Sequence, residues 1–186
     1  VGRIRSLFLY PFSFNEFLPA VGESKLLDAI QRAKPERPLS ELVHKKALNL
    51  YKRFVIMGGM PKVVSNYVET GDLLKCQQIL DDLILSFQDD FVKYKNRVSS
   101  FMLKEVFNAV VARNANKFIY TKATTDLNRA QVKLCLELLS MAGLIYPVTH
   151  SSANGIPLGT ETNPKFRKYI VFDSGIYQRI LGLELA

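Results

Sequence analysis

The sequence has no tryptophan, and its two cysteines and two histidines are widely separated along 186 residues. Cys76 and Cys135 each lie within a helical pattern, and neither has a CxxC partner. His44 and His150 have no cysteine or second histidine at metal-ligand spacing. This pattern supports neither a zinc site nor a catalytic dyad, and we expect two buried free thiols.

Long hydrophobic runs are also absent. The longest uninterrupted apolar segments are only a few residues long, whereas a helix that crosses a bilayer needs roughly 20. No basic and then apolar leader opens the chain. We therefore predict a cytoplasmic chain without a membrane partner. The opening Val1-Gly2-Arg3-Ile4-Arg5 contains no initiator methionine, and we expect the sequence to be cut from a longer protein.

Nucleotide-binding motifs are missing as well. No G-x-x-x-x-G-K-[ST] occurs, and no apolar strand ends in the paired acidic residues that hold Mg²⁺. Asp81-Asp82 and Asp89-Asp90 are adjacent pairs in a helical pattern, where successive side chains point about 100° apart and cannot converge on one ion. Gly58-Gly59 is followed by Met60-Pro61, and proline removes an amide donor that a phosphate loop would use. We therefore predict no catalytic residue, no metal and no cofactor in this chain.

The residues that are abundant are apolar and basic. Hydrophobic residues make up 48% of the chain, which is enough for one ordinary domain or two small ones. Lys and Arg number 25 against 17 Asp and Glu, giving a formal net charge of +8. Such a balance favours an anionic partner such as nucleic acid.

Apolar periodicity and capping signals predict a mainly α fold. Ser13 and Glu16 have the spacing of a capping box, so a short helix should begin there. Gly58-Gly59-Met60-Pro61 predicts a rigid corner between two helices, and Pro11 should end a short edge strand. The strand is predicted over residues 4–10, and further helices over 23–32, 39–54, 73–97, 101–113, 121–126 and 128–142.

The C-terminal part predicts a small β-hairpin. Residues 144–148 and 168–172 are rich in strand-forming side chains and flank a polar loop over residues 151–163. Asp173-Ser174-Gly175 then begins a last helix. Helix, short helix, helix and hairpin is the order of a winged helix-turn-helix, so we predict a helical N-terminal region followed by that module.

Several motifs resemble one family. Gly2-Arg3 followed by the run from Leu9 to Leu18 is similar to a G-R then L-x-P-[FL]-S-F-x-E-F-L signature. The run from Gly58 to Val64 resembles G-G-x-P-x-V-V, and the run from Gln88 to Tyr94 resembles D-D-F-x-K-Y. Lys165 to Gly175 is similar to a closing K-x-Y-x-x-D-x-G pattern. These motifs resemble the helical, winged-helix-containing region that follows the nucleotide-binding core of prokaryotic AAA-superfamily ATPases.

The resemblance implies a division of the chain and a set of partners. Residues 1–20 would be the exit of the ATPase core, 21–98 a helical region, and 99–186 a winged-helix domain. ATP and Mg²⁺ would belong only to the missing core. The core would itself be a partner of this chain, and duplex DNA or another protein would be a further partner. A nuclease-like tail commonly follows this pattern in the family, so the chain could also serve only to position such a site.

Two sets of candidate site residues follow. The predicted recognition helix and hairpin offer residue types suited to phosphates and base edges, although winged helices also serve as protein-interaction modules and Glu137 would oppose a phosphate. These candidate nucleic-acid contacts are Asn128, Arg129, Gln131, Lys133, Lys165, Arg167 and Lys168. The candidate interface with the ATPase core consists of Arg3, Phe12, Phe14 and Phe17. The alternatives are that the three rings are exposed in this chain and that Arg3 faces solvent.

Overall fold

A computed structural model describes residues 7–94, 97–122 and 126–183 of the chain. It is mainly helical with a small antiparallel sheet near the C-terminus, which confirms the predicted fold class. The helices are α1 Phe14–Ala20, α2 Ser24–Arg32, α3 Glu41–Met57, α4 Pro61–Thr70, α5 Leu73–Asp90, α6 Ser100–Ala112, α7 Arg129–Met141 and α8 Ser174–Ile180; the strands are β1 Ile145–Ser151 and β2 Thr162–Val171; 3-10 turns span Phe91–Tyr94, Tyr120–Lys122 and Leu158–Glu161.

The described chain divides into two compact units. The first contains residues 7–79 and 173–175, and the second contains residues 80–172 and 176–183. The domain bounds predicted at residues 20 and 98 do not coincide with this division and stay a prediction. None of the helices in the described residues combines the length and the apolar character that spanning a bilayer requires.

Most elements follow the sequence signals, but one predicted strand and two predicted helices depart from them. Residues 7–10 have no regular secondary structure, so the strand prediction is wrong there; residues 4–6 of that prediction lie outside the described residues. The helix predicted to reach Arg97 ends at Asp90 and continues as a 3-10 turn. The helix predicted over 121–126 is a 3-10 turn up to Lys122, and residues 123–125 lie outside the description.

Aromatic rings fill the centre of the first unit. Phe17 on α1 is fully buried, and its ring centroid lies 5.3 Å from that of Phe54 on α3 and 6.2 Å from that of Tyr67 on α4. Phe14 packs edge-on against Tyr51 at 5.2 Å. Burying one phenylalanine side chain contributes roughly 1.5–3 kcal/mol, so these rings hold α1 onto α3 and α4.

The second unit has one continuous aliphatic core. It forms where α6 and α7 pack together and against one face of the sheet. This core contains Leu103, Val106, Val110, Val132, Leu136, Leu139, Ile145, Tyr169 and Val171, among other buried side chains.

The strand register fixes which side chains face this core. Ile145 pairs with Val171 and both are buried in this core; Tyr169 is buried too, whereas its partner Pro147 is exposed. Alternate positions point outward because successive side chains on a strand lie on opposite faces. A third short segment borders β2, since Lys117 forms a bridge with Lys168. We call the outward set the outer sheet face; it consists of Lys117, Tyr146, Val148, His150, Phe166, Lys168 and Ile170.

Candidate nucleic-acid interface

The start of α7 is fixed by a capping box. The Asn128 side chain accepts hydrogen bonds from the backbone amides of Ala130 and Gln131, both at 3.0 Å. The Gln131 side chain accepts in return from the Asn128 amide at 2.9 Å. Both side chains satisfy donors that a helix start leaves unpaired. Both residues therefore cap the helix, and their predicted role as groove contacts stays a prediction.

Arg129 and Arg167 lie at the two ends of a tyrosine pair. The Arg129 guanidinium lies 5.7 Å from the centre of the Tyr120 ring. The Tyr120 and Tyr169 hydroxyl oxygens are 3.4 Å apart. Burial is the largest cause that raises the pKa of Tyr169, the Tyr120 hydroxyl raises it further, and a hydrogen bond with Arg167 opposes both. The Tyr169 phenol therefore stays neutral at physiological pH and does not offset the positive charge of the two arginines.

Lys133 lies one turn further along α7 and has an acidic neighbour. Its Nζ is 3.7 Å from Glu137 Oε1, and both side chains are more than half exposed. An exposed pair of this kind contributes little to stability. Glu137 therefore lies beside Lys133 on the exposed surface of α7, and its effect on a phosphate stays a prediction.

Lys168 belongs to the outer sheet face, on the opposite side of β2 from Tyr169. Lys117 Nζ lies 4.3 Å from the Phe166 ring centre, and the His150 and Phe166 ring centres are 6.1 Å apart. These side chains border a shallow groove of about 310 Å³ that is also lined by Val148, Thr149 and Arg167. Lys117, His150 and Phe166 were not predicted, although the outward alternation on a β-hairpin was a signal that could have found the last two.

Arg167 contributes a donor that the described chain leaves unsatisfied. Its Nε is buried and has no hydrogen-bond partner among the described residues. Buried donors are usually paired, so this unsatisfied Nε is an exception in the second unit. The Lys165 side chain lies outside the described residues. The six other predicted contacts therefore separate into helix-capping residues, the tyrosine cluster, the Lys133 pair and the outer sheet face.

The rings of the second predicted set take part in the first unit. Phe17 is completely buried there and Phe14 is half-buried against α3, which leaves Phe17 with no surface to offer an ATPase core. The expectation that these rings may be exposed is therefore wrong for Phe17, because it is the centre of the aromatic cluster. Phe12 is half-buried, and Arg3 lies outside the described residues.

Three motifs that are far apart in sequence meet around Gly59. The Phe12 amide donates to the Gly59 carbonyl at 2.7 Å, and the Gly59 amide donates to Asp173 Oδ2 at 2.8 Å. Asp173 is only 4% exposed. A Cβ on Gly59 would overlap the Phe12 backbone, and one on Gly175 would overlap the Met57 carbonyl. We call Phe12, Met57, Gly59, Asp173 and Gly175 the glycine junction. The sequence predicted the corner at Gly58-Gly59 but not the residues that contact it.

The remaining reactive groups offer little chemistry. Burial raises the pKa of the Cys135 thiol to about 11, and burial also raises the pKa of Cys76. A protonated, buried thiol is a poor nucleophile. Within the described ranges, no group of three or more His, Cys, Asp or Glu side chains lies close enough to hold a metal ion.

Comparison with known proteins gives one family. No curated protein matches the chain, and no solved structure matches it. Residues 48–186 match the family described as Domain of unknown function (DUF8612). This match covers well over half of the chain, from the second half of α3 onwards, and includes the Gly58-Gly59 corner, α7 and both strands. The chain therefore belongs to the DUF8612 family.

Proposed function

We propose that this chain is a non-catalytic, cytoplasmic accessory region of a prokaryotic AAA-type ATPase. In this role it binds the nucleotide-binding core and couples its state to a partner. The glycine junction supports the proposal, because it gives a shared structural role to the L-Y-P-F, G-G-M-P and D-S-G sequences that carry the resemblance.

The observation that carries the proposal is an exposed apolar segment. Leu7, Phe8 and Leu9 are 83%, 74% and 100% exposed, and they lead directly into Phe12, which is bonded to Gly59. A run of adjacent apolar side chains in water is unfavourable and usually marks a contact surface. Its anchoring at Phe12 makes it suitable for docking on the ATPase core.

A binding experiment tests this proposal. The chain and the ATPase core encoded with it would be purified separately and mixed, and their affinity measured with ADP, with ATP and without nucleotide. Replacing Phe8 and Leu9 together by Asp should weaken binding by tenfold or more. Leu42→Asp is the matched control, since Leu42 is 82% exposed on α3. No association under any nucleotide condition would count against the proposal.

Duplex DNA is the second candidate partner. The elements 100–112, 120–122, 129–141 and the hairpin follow the order of a winged helix-turn-helix, in which the second long helix enters a major groove. The exposed Arg129 at the start of α7 favours this reading, because its guanidinium lies over Tyr120, which fixes where it can meet a phosphate. Lys133 would add a second contact.

Fluorescence anisotropy with a mixed-sequence duplex tests the second candidate. Binding should weaken steeply between about 50 and 150 mM salt, because phosphate contacts release counterions. Replacing Arg129 and Lys133 by Ala should weaken it about tenfold or more. The double variant Lys52→Ala and Lys62→Ala removes the same charge from exposed positions on α3 and α4 and should have little effect. Affinity that responds to neither salt nor the first variant would argue against DNA docking by α7.

A further inference from the structure

The outer sheet face is an exposed surface that combines apolar side chains with cations. Tyr146, Val148, Phe166 and Ile170 are 37%, 45%, 44% and 39% exposed, although each is large enough to favour burial. They alternate with inward-facing residues of the two strands, so they lie on one side of the sheet. A contiguous face of this composition is suited to binding a partner.

The charged side chains of the two strands and of the segment that borders β2 are all basic. Residues 113–122, 145–151 and 162–171 contain six Lys and Arg residues and no Asp or Glu. The hairpin loop, residues 152–161, has the opposite character, with Glu161 and no basic residue. Among the described residues, neither Lys117 nor Lys168 forms a salt bridge with a carboxylate. The partner of this face should therefore be an anion, and it should meet the sheet rather than the loop.

The exposed ring of Phe166 indicates that the partner also carries a flat apolar group. Lys117 Nζ lies over the ring, 4.3 Å from its centre, and the His150 ring centre is 6.1 Å away, while 44% of Phe166 stays accessible. An aromatic ring between positive or polar groups can stack on a nucleobase while the neighbouring ammonium groups meet the phosphates. Bases expose their faces when the strand is single, whereas a duplex hides them within its own stack.

We propose that the outer sheet face binds single-stranded nucleic acid, with a base stacked on Phe166 and the backbone held by Lys117 and Lys168. This site differs from the start of α7, and it does not rest on the proposed role within an ATPase. Binding needs both the Phe166 ring and the lysines, because stacking fixes the position of the base and the contacts with phosphates supply much of the affinity.

Anisotropy with a fluorescein-labelled thymidine oligonucleotide of about 20 residues tests the site. Phe166→Ala should weaken binding by about 5- to 100-fold, the range expected for the loss of one stacked base. Phe166→Leu should also weaken it, because it keeps the apolar volume without the ring, whereas Phe166→Trp should retain binding. Phe101→Ala is the control, since Phe101 is 63% exposed on α6 in the same unit.

The charge arm of the experiment separates this site from duplex docking. Lys117→Ala with Lys168→Ala should reduce both the affinity for the oligonucleotide and its dependence on salt. Arg129→Ala with Lys133→Ala should leave oligonucleotide binding within about twofold. Circular dichroism of every variant checks that it folds. The proposal is overturned if the unmodified chain binds no oligonucleotide at low salt, if Phe166→Leu binds as tightly as Phe166→Trp, or if an acidic peptide binds this face and the oligonucleotide does not.

Discussion

The two units are stabilised in different ways. The second packs aliphatic side chains from α6, α7 and the sheet into one continuous core, whereas the first relies on an aromatic cluster and on backbone segments that touch at glycines. Aliphatic cores adjust to small changes of volume, since neighbouring side chains can repack. Backbone contacts cannot adjust in that way. The first unit should therefore be sensitive at few positions, and severely so.

The largest effect is expected at Gly59. In Gly59→Ala the new methyl group would overlap the backbone of Phe12, so the bond between Phe12 and Gly59 must break or the segment must move. We expect a loss of about 4 kcal/mol, the upper range for single substitutions. Urea unfolding would measure the loss, and hydrogen exchange should show early opening of α1 and α4.

Gly155→Ala is the control for that change. Gly155 lies in the hairpin loop of the second unit, and a Cβ there has open space around it. The free energy of unfolding should change by less than about 0.5 kcal/mol. If both alanine variants behave alike, the close approach at Gly59 has no energetic importance and the contrast between the units fails.

Two aspartates sharpen the comparison. Asp173 in the first unit is buried and accepts the Gly59 amide, whereas the Asp81 side chain in the second unit is 43% exposed and pairs with Arg179 at 2.6 Å. Asp173→Ala leaves a buried amide unpaired and should cost about 2–3 kcal/mol. Asp81→Ala removes a part-buried pair in which the carboxylate still reaches solvent, and it should cost about 1 kcal/mol. Equal losses in urea unfolding would show that burial is not what separates these carboxylates.

Local features of the fold could be predicted from the sequence because each depends on a few adjacent residues. The Ser13 and Glu16 capping box, the corner before Pro61 and the closure of α7 at Gly143 all follow from backbone preferences within one turn. The hairpin strands were also found, although both are longer than predicted because main-chain pairing continues into polar residues near the loop.

Long-range features could not be predicted in the same way. Nothing near Gly59 in sequence indicates that Phe12 and Asp173 will contact it, since that contact depends on how α1, α4 and the segment after β2 pack. Lys117 was missed for a similar reason: its place over Phe166 depends on pairing with β2 across about fifty residues. Asn128 was predicted as a groove contact, and it also caps α7; asparagine suits both roles, so the sequence alone does not separate them.

The smallest predicted effect compares the two capping boxes. In the first unit Glu16 Oε2 accepts from the Ser13 amide at 2.8 Å, and this bond lowers the pKa of Glu16 below its ordinary value of 4.5. In the second unit the corresponding acceptor is the uncharged Gln131. A carboxyl with a lowered pKa in the folded state stabilises the fold above the unfolded pKa, and that contribution is lost as the pH falls through the folded pKa.

Glu16→Gln and Gln131→Glu exchange the two arrangements. Glu16→Gln should remove a small part of the loss of stability below about pH 4.5, and Gln131→Glu should introduce a similar dependence in the second unit, since a carboxylate at that position meets the same unpaired amide. Thermal unfolding from about pH 3 to 7 for the unmodified chain and both variants would measure the difference. If Glu16→Gln leaves the pH profile unchanged, the carboxylate contributes no more than an amide to the start of α1, and the two boxes are equivalent despite their charge.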